Sequence, residues 1–111
     1  MIPQVRPSDF DDWLRAQGAR PLVLDVREPW EVQTASVTPD EFDLVAIPMN
    51  EIPARLAELP QDRPIACLCH HGARSQRVAM FLAQQGYEDV ANIAGGIEAW
   101  SRERDPGVPR Y

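Results

Sequence analysis

Pro64-Ile65-Ala66-Cys67-Leu68-Cys69-His70-His71-Gly72-Ala73-Arg74-Ser75 decides how this chain folds. The first five residues form an apolar run of strand length, and a helix-like run follows from Gln76 to Gln85. Cys69 therefore leaves a buried strand into a short loop that opens a helix. Free backbone N–H groups and the positive helix end converge at such a position, which favours a thiolate. A free cysteine titrates at about 8.5, and helix N-termini and cationic neighbours lower that value. Arg74 places a fixed positive charge on the same rim, and His70 and His71 supply further donors there.

Outward from the loop, strands and helices alternate. Gln4-Val5-Arg6 reads as a short opening strand, and Ser8 as the N-cap of a short amphipathic helix carrying Phe10, Trp13, Leu14 and Gln17, closed by Gly18. Pro21 to Val26 is an apolar run that ends in charge, a buried parallel strand with Asp25, Arg27 and Glu28 at its carboxyl end. Open α/β sheets keep their sites at that end. Pro29 to Asp43 reads as a long loop with one helical turn. Leu44 to Pro48 predicts a short strand, and Asn50 caps an expected helix bearing Ile52, Leu56 and Leu59. After the Cys69 loop, Val78, Phe81 and Leu82 share one helix face, which Gly86 ends. Val90 to Ile93 predicts a last strand, and Gly95-Gly96 a tight turn into Ile97 to Ser101, with Trp100 in the core. Asp105 to Tyr111 reads as a tail over the surface. The whole is a small α/β domain with a mostly parallel sheet.

Composition narrows the function classes. At 111 residues, 44% hydrophobic and 25% charged, the chain is one globular domain's worth. A net charge of −6, with every basic residue a scattered Arg, argues against nucleic acid as a partner. No run approaches the roughly 20 apolar residues of a membrane span, so no membrane partner is expected. Met1 to Asp12 lacks the basic and apolar regions of a secretory signal. Cys67 and Cys69 are the chain's two cysteines. Extended residues two apart lie about 6.6 Å from each other, a poor fit to a disulfide. Cys67, Cys69, His70 and His71 are crowded into five positions with no second ligand cluster, which also gives poor support to a metal site. The expectation is a reduced, cytoplasmic protein with a reactive thiol, no metal and no organic cofactor.

With these pieces in place, the chain resembles the single-domain members of the rhodanese family of sulfurtransferases. The matching stretches are Leu24-Asp25-Val26-Arg27-Glu28-Pro29, Cys69-His70-His71-Gly72-Ala73-Arg74-Ser75, Gly86-Tyr87 and Asn92-Ile93-Ala94-Gly95-Gly96-Ile97-Glu98-Ala99-Trp100. They follow the family's order and spacing across a motif-bearing core of about residues 4–101, with 102–111 as the tail of a single 1–111 domain. The resemblance implies a three-layer α/β fold, a mostly parallel five-stranded sheet flanked by helices. It further implies that Cys69 accepts a sulfane sulfur as a persulfide and passes it to a thiophilic acceptor, either a small molecule or a protein. His70, His71, Gly72, Ala73, Arg74 and Ser75 would then bind substrate, with Asp25 and Arg27 in support, most simply as an ion pair or hydrogen-bond formers. Four residues separate Cys69 from Arg74, whereas related phosphatases and arsenate reductases use five to surround a tetrahedral oxyanion. Ala35 to Phe42 departs from the family's His-Ile-Pro-Gly-Ala-like stretch, leaving that wall of the site open. A monomer or a weak homodimer is expected, with Pro29 to Asp43 as the candidate contact surface.

Overall fold

A computed structural model describes residues 1–111. Five strands, β1 (Gln4–Val5), β2 (Leu22–Asp25), β3 (Asp43–Ala46), β4 (Ile65–Leu68) and β5 (Val90–Ile93), make one sheet in the order β1-β5-β4-β2-β3. Every neighbouring pair is parallel. The three central strands are buried at all four positions, as expected where helices cover both faces of a parallel sheet. The edge strands are the two-residue β1 and the half-buried β3.

Two apolar layers sandwich the sheet. On one side Phe10, Phe42, Ile97 and Trp100 pack on Val23, Ala66 and Ile93, with Phe10 edge-on to both Phe42 and Trp100. On the other, Ile52, Leu59, Val78, Ala79 and Leu82 pack on Leu22, Leu24, Ile65 and Cys67. The helices are α1 (Phe10–Arg15), α2 (Pro29–Thr34), α3 (Ala73–Gln84) and α4 (Gly96–Glu103). In α3 the buried residues Ser75, Val78, Ala79 and Leu82 recur at three- and four-residue intervals, the spacing of one helix face. No helix is long and apolar enough to cross a membrane.

Four local expectations are corrected. Ser8 does not cap α1; it lies in a 3₁₀ turn, Pro7–Asp9, that leads into the helix at Phe10, and its N–H is directed to Glu103. The helix expected after Asn50 is two separate 3₁₀ turns, Met49–Glu51 and Leu56–Glu58. One α-type bond forms, from the Arg55 N–H to the Glu51 carbonyl at 3.1 Å, but Arg55 itself leaves helical geometry at φ −114° and ψ 18°, and the next bonds, from Glu58 and Leu59, reach back only three residues. The expected loop from Pro29 begins with the six residues of α2, and its remainder sends Ala35, Val37 and Phe42 into the core. Finally, the tail is anchored rather than draped. Val108 is buried in the core, Ser101 Oγ donates to its carbonyl at 2.7 Å, and Tyr111 packs on the Cys69 loop.

Arg27 locks the carboxyl end of the sheet, with its side chain fully buried. Nε and Nη2 reach Asp25 Oδ1 and Oδ2 at 2.9 and 2.7 Å, Nη2 also reaches the Ala35 carbonyl at 2.7 Å, and Nη1 reaches the Glu31 carbonyl at 3.2 Å and the Tyr111 hydroxyl at 2.9 Å. These bonds occupy all the donors a guanidinium has. Burial alone would ease the proton off Arg27, but the bonds to Asp25 and Tyr111 outweigh it and hold the charge in place. Removing one partner of such a pair strands the other charge. Arg27→Met is therefore expected to cost about 3–5 kcal/mol of stability in urea unfolding, and Arg27→Lys, which cannot reproduce the fork, to recover only part of it.

Candidate active site

The site lies at the carboxyl ends of β2, β4 and β5. Cys69 follows β4 directly and is 1% exposed. Two groups reach its sulfur: the Gly72 N–H at 3.0 Å and Ser75 Oγ at 3.2 Å. A helix start has room for a wider ring of N–H donors from residues 70 to 75, but of those groups only Gly72's hydrogen-bonds to the sulfur, and the Ser75 hydroxyl completes the cradle.

The loop curls this way because α4 holds its outer side. Ile97 and Glu98 donate backbone N–H bonds to the Cys69 and His70 carbonyls at 2.8 and 3.1 Å, turning those oxygens toward α4. The approach is so close that a Cβ on Gly96 would fall 2.4 Å from the His70 oxygen. Gly96 is therefore a contact requirement as well as a turn residue. Gly72, at φ +104°, makes the turn into α3, where a side chain would be strained. Free N–H groups at the start of this 12-residue helix add a positive potential beside the sulfur.

Arg74 does not face open solvent as a free cation. Its two terminal nitrogens bind Glu31 at 2.7 and 2.8 Å, tying the loop to α2. Glu31 is buried, and its bonds to Arg74, helped by the Tyr111 hydroxyl and the Glu28 N–H, overcome burial to hold its carboxyl at about 2. Glu31 went unremarked in the sequence. A signal existed: Pro29 and Glu31 stand at the first and third positions of α2, and Glu31 Oε1 accepts the Glu28 N–H at 3.1 Å, as in a capping box.

The histidines and the tail form the outer rim. His70 and His71 stack at 3.9 Å, and Tyr111 lies nearly parallel to His70 at 4.0 Å. Burial, then the neighbouring His71, lowers the His70 pKa and favours the neutral ring, whose Nε2 is buried without a partner. The Tyr111 hydroxyl accepts from Arg27 and donates to Glu31 at 2.7 Å. Burial, then the interaction with Glu31, raises its own pKa, although Arg27 opposes this. Nothing local in the sequence ties Tyr111 to this loop, 36 positions after Ser75. Ala73 is exposed at the start of α3, Trp30 is exposed edge-on to Tyr111, and Phe42 is wholly core.

Cys67 belongs to the packing. It is inaccessible in β4, and burial, with a smaller contribution from Cys69, pushes its thiol up to about 12. Both cysteines are free.

A strand-borne cysteine, a glycine-turned loop closed by arginine, and a double glycine holding that loop from behind occur here in one parallel sheet. The rhodanese-like domain model matches residues 7–103. The chain belongs to the rhodanese family. Among its relatives is a protein of Allochromatium vinosum named sulfurtransferase, 40% identical over 87 residues that make up 78% of each chain. Another is thiosulfate sulfurtransferase GlpE of Pseudomonas syringae, 34% identical over 85% of this chain and 83% of that one. The chain spans only 26% of a probable adenylyltransferase/sulfurtransferase of Mycobacterium tuberculosis, to which it is 30% identical. Among solved structures, a rhodanese-related protein of Thermoplasma volcanium superposes with a TM-score of 0.79 at 29% identity, covering 98% of this chain and 99% of its own.

Within this rhodanese site the Glu31–Arg74 bridge carries a pH signature. A carboxylate held at about 2 instead of 4.5 stabilises the fold above its unfolded value and loses that stabilisation as pH falls from about 4.5 toward 2. At roughly 1.4 kcal/mol per unit the effect is on the order of 3 kcal/mol. Urea unfolding between pH 6 and pH 2.5 is expected to show this loss in the wild type and a flatter profile in Glu31→Gln.

Proposed function

We propose that this protein is a sulfurtransferase in which Cys69 carries the sulfur. The observation that supports it best is the pairing of the Gly72 N–H and Ser75 hydroxyl on the Cys69 sulfur at a helix start. The sulfurtransferase names of the two relatives that match most of its length agree. In the first step the Cys69 thiolate attacks the outer sulfur of a donor such as thiosulfate. The donor's S–S bond breaks, sulfite leaves with the bonding pair, and Cys69 becomes a persulfide anion. In the second, an acceptor nucleophile, for example cyanide or a thiolate, attacks the outer sulfur, and Cys69 leaves as the thiolate. In the thiolate the negative charge rests on Sγ, where the two hydrogen bonds with the α3 dipole stabilise it as an oxyanion hole stabilises oxygen, and in the persulfide it moves to the outer sulfur. All atoms balance between donor and acceptor, so the residues described here suffice for the transfer.

The arginines hold this site in shape. Both are committed to carboxylates, Arg27 to Asp25 and Arg74 to Glu31. The roles assigned to Arg74 and Arg27 are accordingly loop closure and support, with donor contact left to the loop backbone, the histidines and Ser75. The partners proposed are a small sulfur donor and a thiophilic acceptor, which a protein thiolate would satisfy as well as a small molecule. The second reading, a module that takes up sulfur only to hand it on within a protein relay, shares the first step and differs in the second. Cys67, buried and held protonated, is a poor resolving thiol for a redox alternative.

Incubation with thiosulfate followed by intact mass measurement is expected to show a gain of about 32 Da, absent in Cys69→Ser and retained in Cys67→Ser. No gain in the wild type, or a gain that survives Cys69→Ser, would overturn the proposal. Steady turnover with cyanide separates the free-standing enzyme from the relay, which would load without turning over.

A further inference from the structure

Asn92 is an unusual residue for the middle of a parallel sheet. It sits in β5, 3% exposed, among positions that are otherwise apolar. Its side chain needs partners there, and two of the three lead to the sulfur. Asn92 Oδ1 lies 2.6 Å from Ser75 Oγ, and Nδ2 donates to the Gly72 carbonyl at 3.2 Å. Ser75 and Gly72 are the two residues that reach Cys69 Sγ. One amide thus grips both arms of the cradle. The second hydrogen of Nδ2 goes to Gln4 Oε1 at 2.9 Å, and Gln4 is in turn tied to Gln76 of α3 at 2.6 Å.

We propose that Asn92 is a positioning residue for sulfur transfer, holding the Gly72 N–H and the Ser75 hydroxyl on the Cys69 sulfur. The amide has one sensible orientation. Turning it over would set Oδ1 against the Gly72 carbonyl, two acceptors with no hydrogen between them. With Oδ1 toward Ser75, the hydroxyl donates to Asn92 while Cys69 is a neutral thiol. When the sulfur is an anion the single proton turns to it about the Cβ–Oγ bond, and the hold on the cradle in that state is the Nδ2 bond to the Gly72 carbonyl together with the packing that buries Ser75. Gly72 is held from the opposite end of its residue: Nδ2 binds the carbonyl while the N–H points to sulfur.

This inference rests on Cys69 as the sulfur carrier, and two measurements keep the ideas separable. The first is the rate of persulfide formation over a range of thiosulfate concentrations. Asn92→Ala is expected to lower the saturating rate about tenfold, a fraction of the effect of removing a direct anion donor, while half-saturation changes by less than about twofold. Ser75→Ala, which removes a direct donor, is expected to fall further, and the double variant to be no slower than Ser75→Ala within about twofold, because both changes break one linked unit. The second is alkylation of Cys69 by iodoacetamide, followed by intact mass, which needs no sulfur donor and is expected to slow in the same order. A protein that never takes up sulfur would refute the carrier reading, and the alkylation series would still decide this one. A rate in Asn92→Ala that is unchanged or raised, losses in the two singles that simply multiply, or a loss confined to half-saturation would overturn the proposal. Should Asn92→Ala fail to fold by circular dichroism, Gln4→Ala on the exposed edge strand decides. It removes the outer anchor of Asn92 and is expected to slow alkylation about threefold, whereas a wild-type rate there overturns the proposal.

Discussion

The fully buried Arg27 guanidinium is the constraint that the rest of the structure accommodates. A charge taken out of water destabilises the fold unless each of its donors finds an acceptor. Meeting that demand brings four parts of the chain to one point: Asp25 at the end of β2, the Glu31 carbonyl in α2, the Ala35 carbonyl beyond it, and the Tyr111 hydroxyl from the tail. Because α2 is pinned there, the Glu31 side chain is delivered to Arg74, and the Cys69 loop is fastened to the sheet. The geometry at the sulfur is thus inherited from an ion pair that does not itself touch it.

Around the loop, restraint comes from three directions. α2 grips Arg74 through Glu31, α4 takes the Cys69 and His70 carbonyls, and β5 reaches the inner face through Asn92. Each contact uses a different part of the loop, so none has to be strong. The backbone is held while the side chains at the mouth, His71 and Trp30, stay exposed. In the proposed transfer Cys69 alternates between thiolate and persulfide, which surroundings that do not rearrange with it favour.

Much of this was legible in the sequence because it is written in local patterns. The buried central strands are short apolar runs bounded by turn residues, the Cys69 loop is contiguous, and Gly95-Gly96 announces a backbone feature. The resemblance to rhodaneses rests on those same stretches. The misread parts have non-local causes. The segment after Asn50 has helical spacing at Ile52, Leu56 and Leu59, but the chain leaves helical geometry at Arg55, and the Leu56 and Leu59 carbonyls are taken by the hydroxyl of Tyr87, from beyond α3. The Ala35 to Phe42 stretch lacks periodicity because its apolar residues are placed one at a time by the core. Asp105-Pro106-Gly107-Val108 signals a turn after α4, and the Val108 N–H bonds the Asp105 carbonyl at 3.0 Å, but no short-range signal says that the tail beyond it lands on His70 and Glu31. Glu31 was within reach, since a proline and a glutamate at the first and third positions of a short helix form a recognisable start.

The pairing of both site arginines has a further consequence for how the sulfur anion is supported. Arg27 and Arg74 each meet a carboxylate, so their fields largely cancel beyond a few ångströms. What remains near Cys69 is a set of fixed dipoles: one amide, one hydroxyl and the first turn of α3. Mobile ions screen exposed charges over about 8 Å at physiological ionic strength but scarcely penetrate buried dipoles. The local support of a sulfur anion therefore rests on groups that salt scarcely screens, even in a protein that carries a net charge of −6.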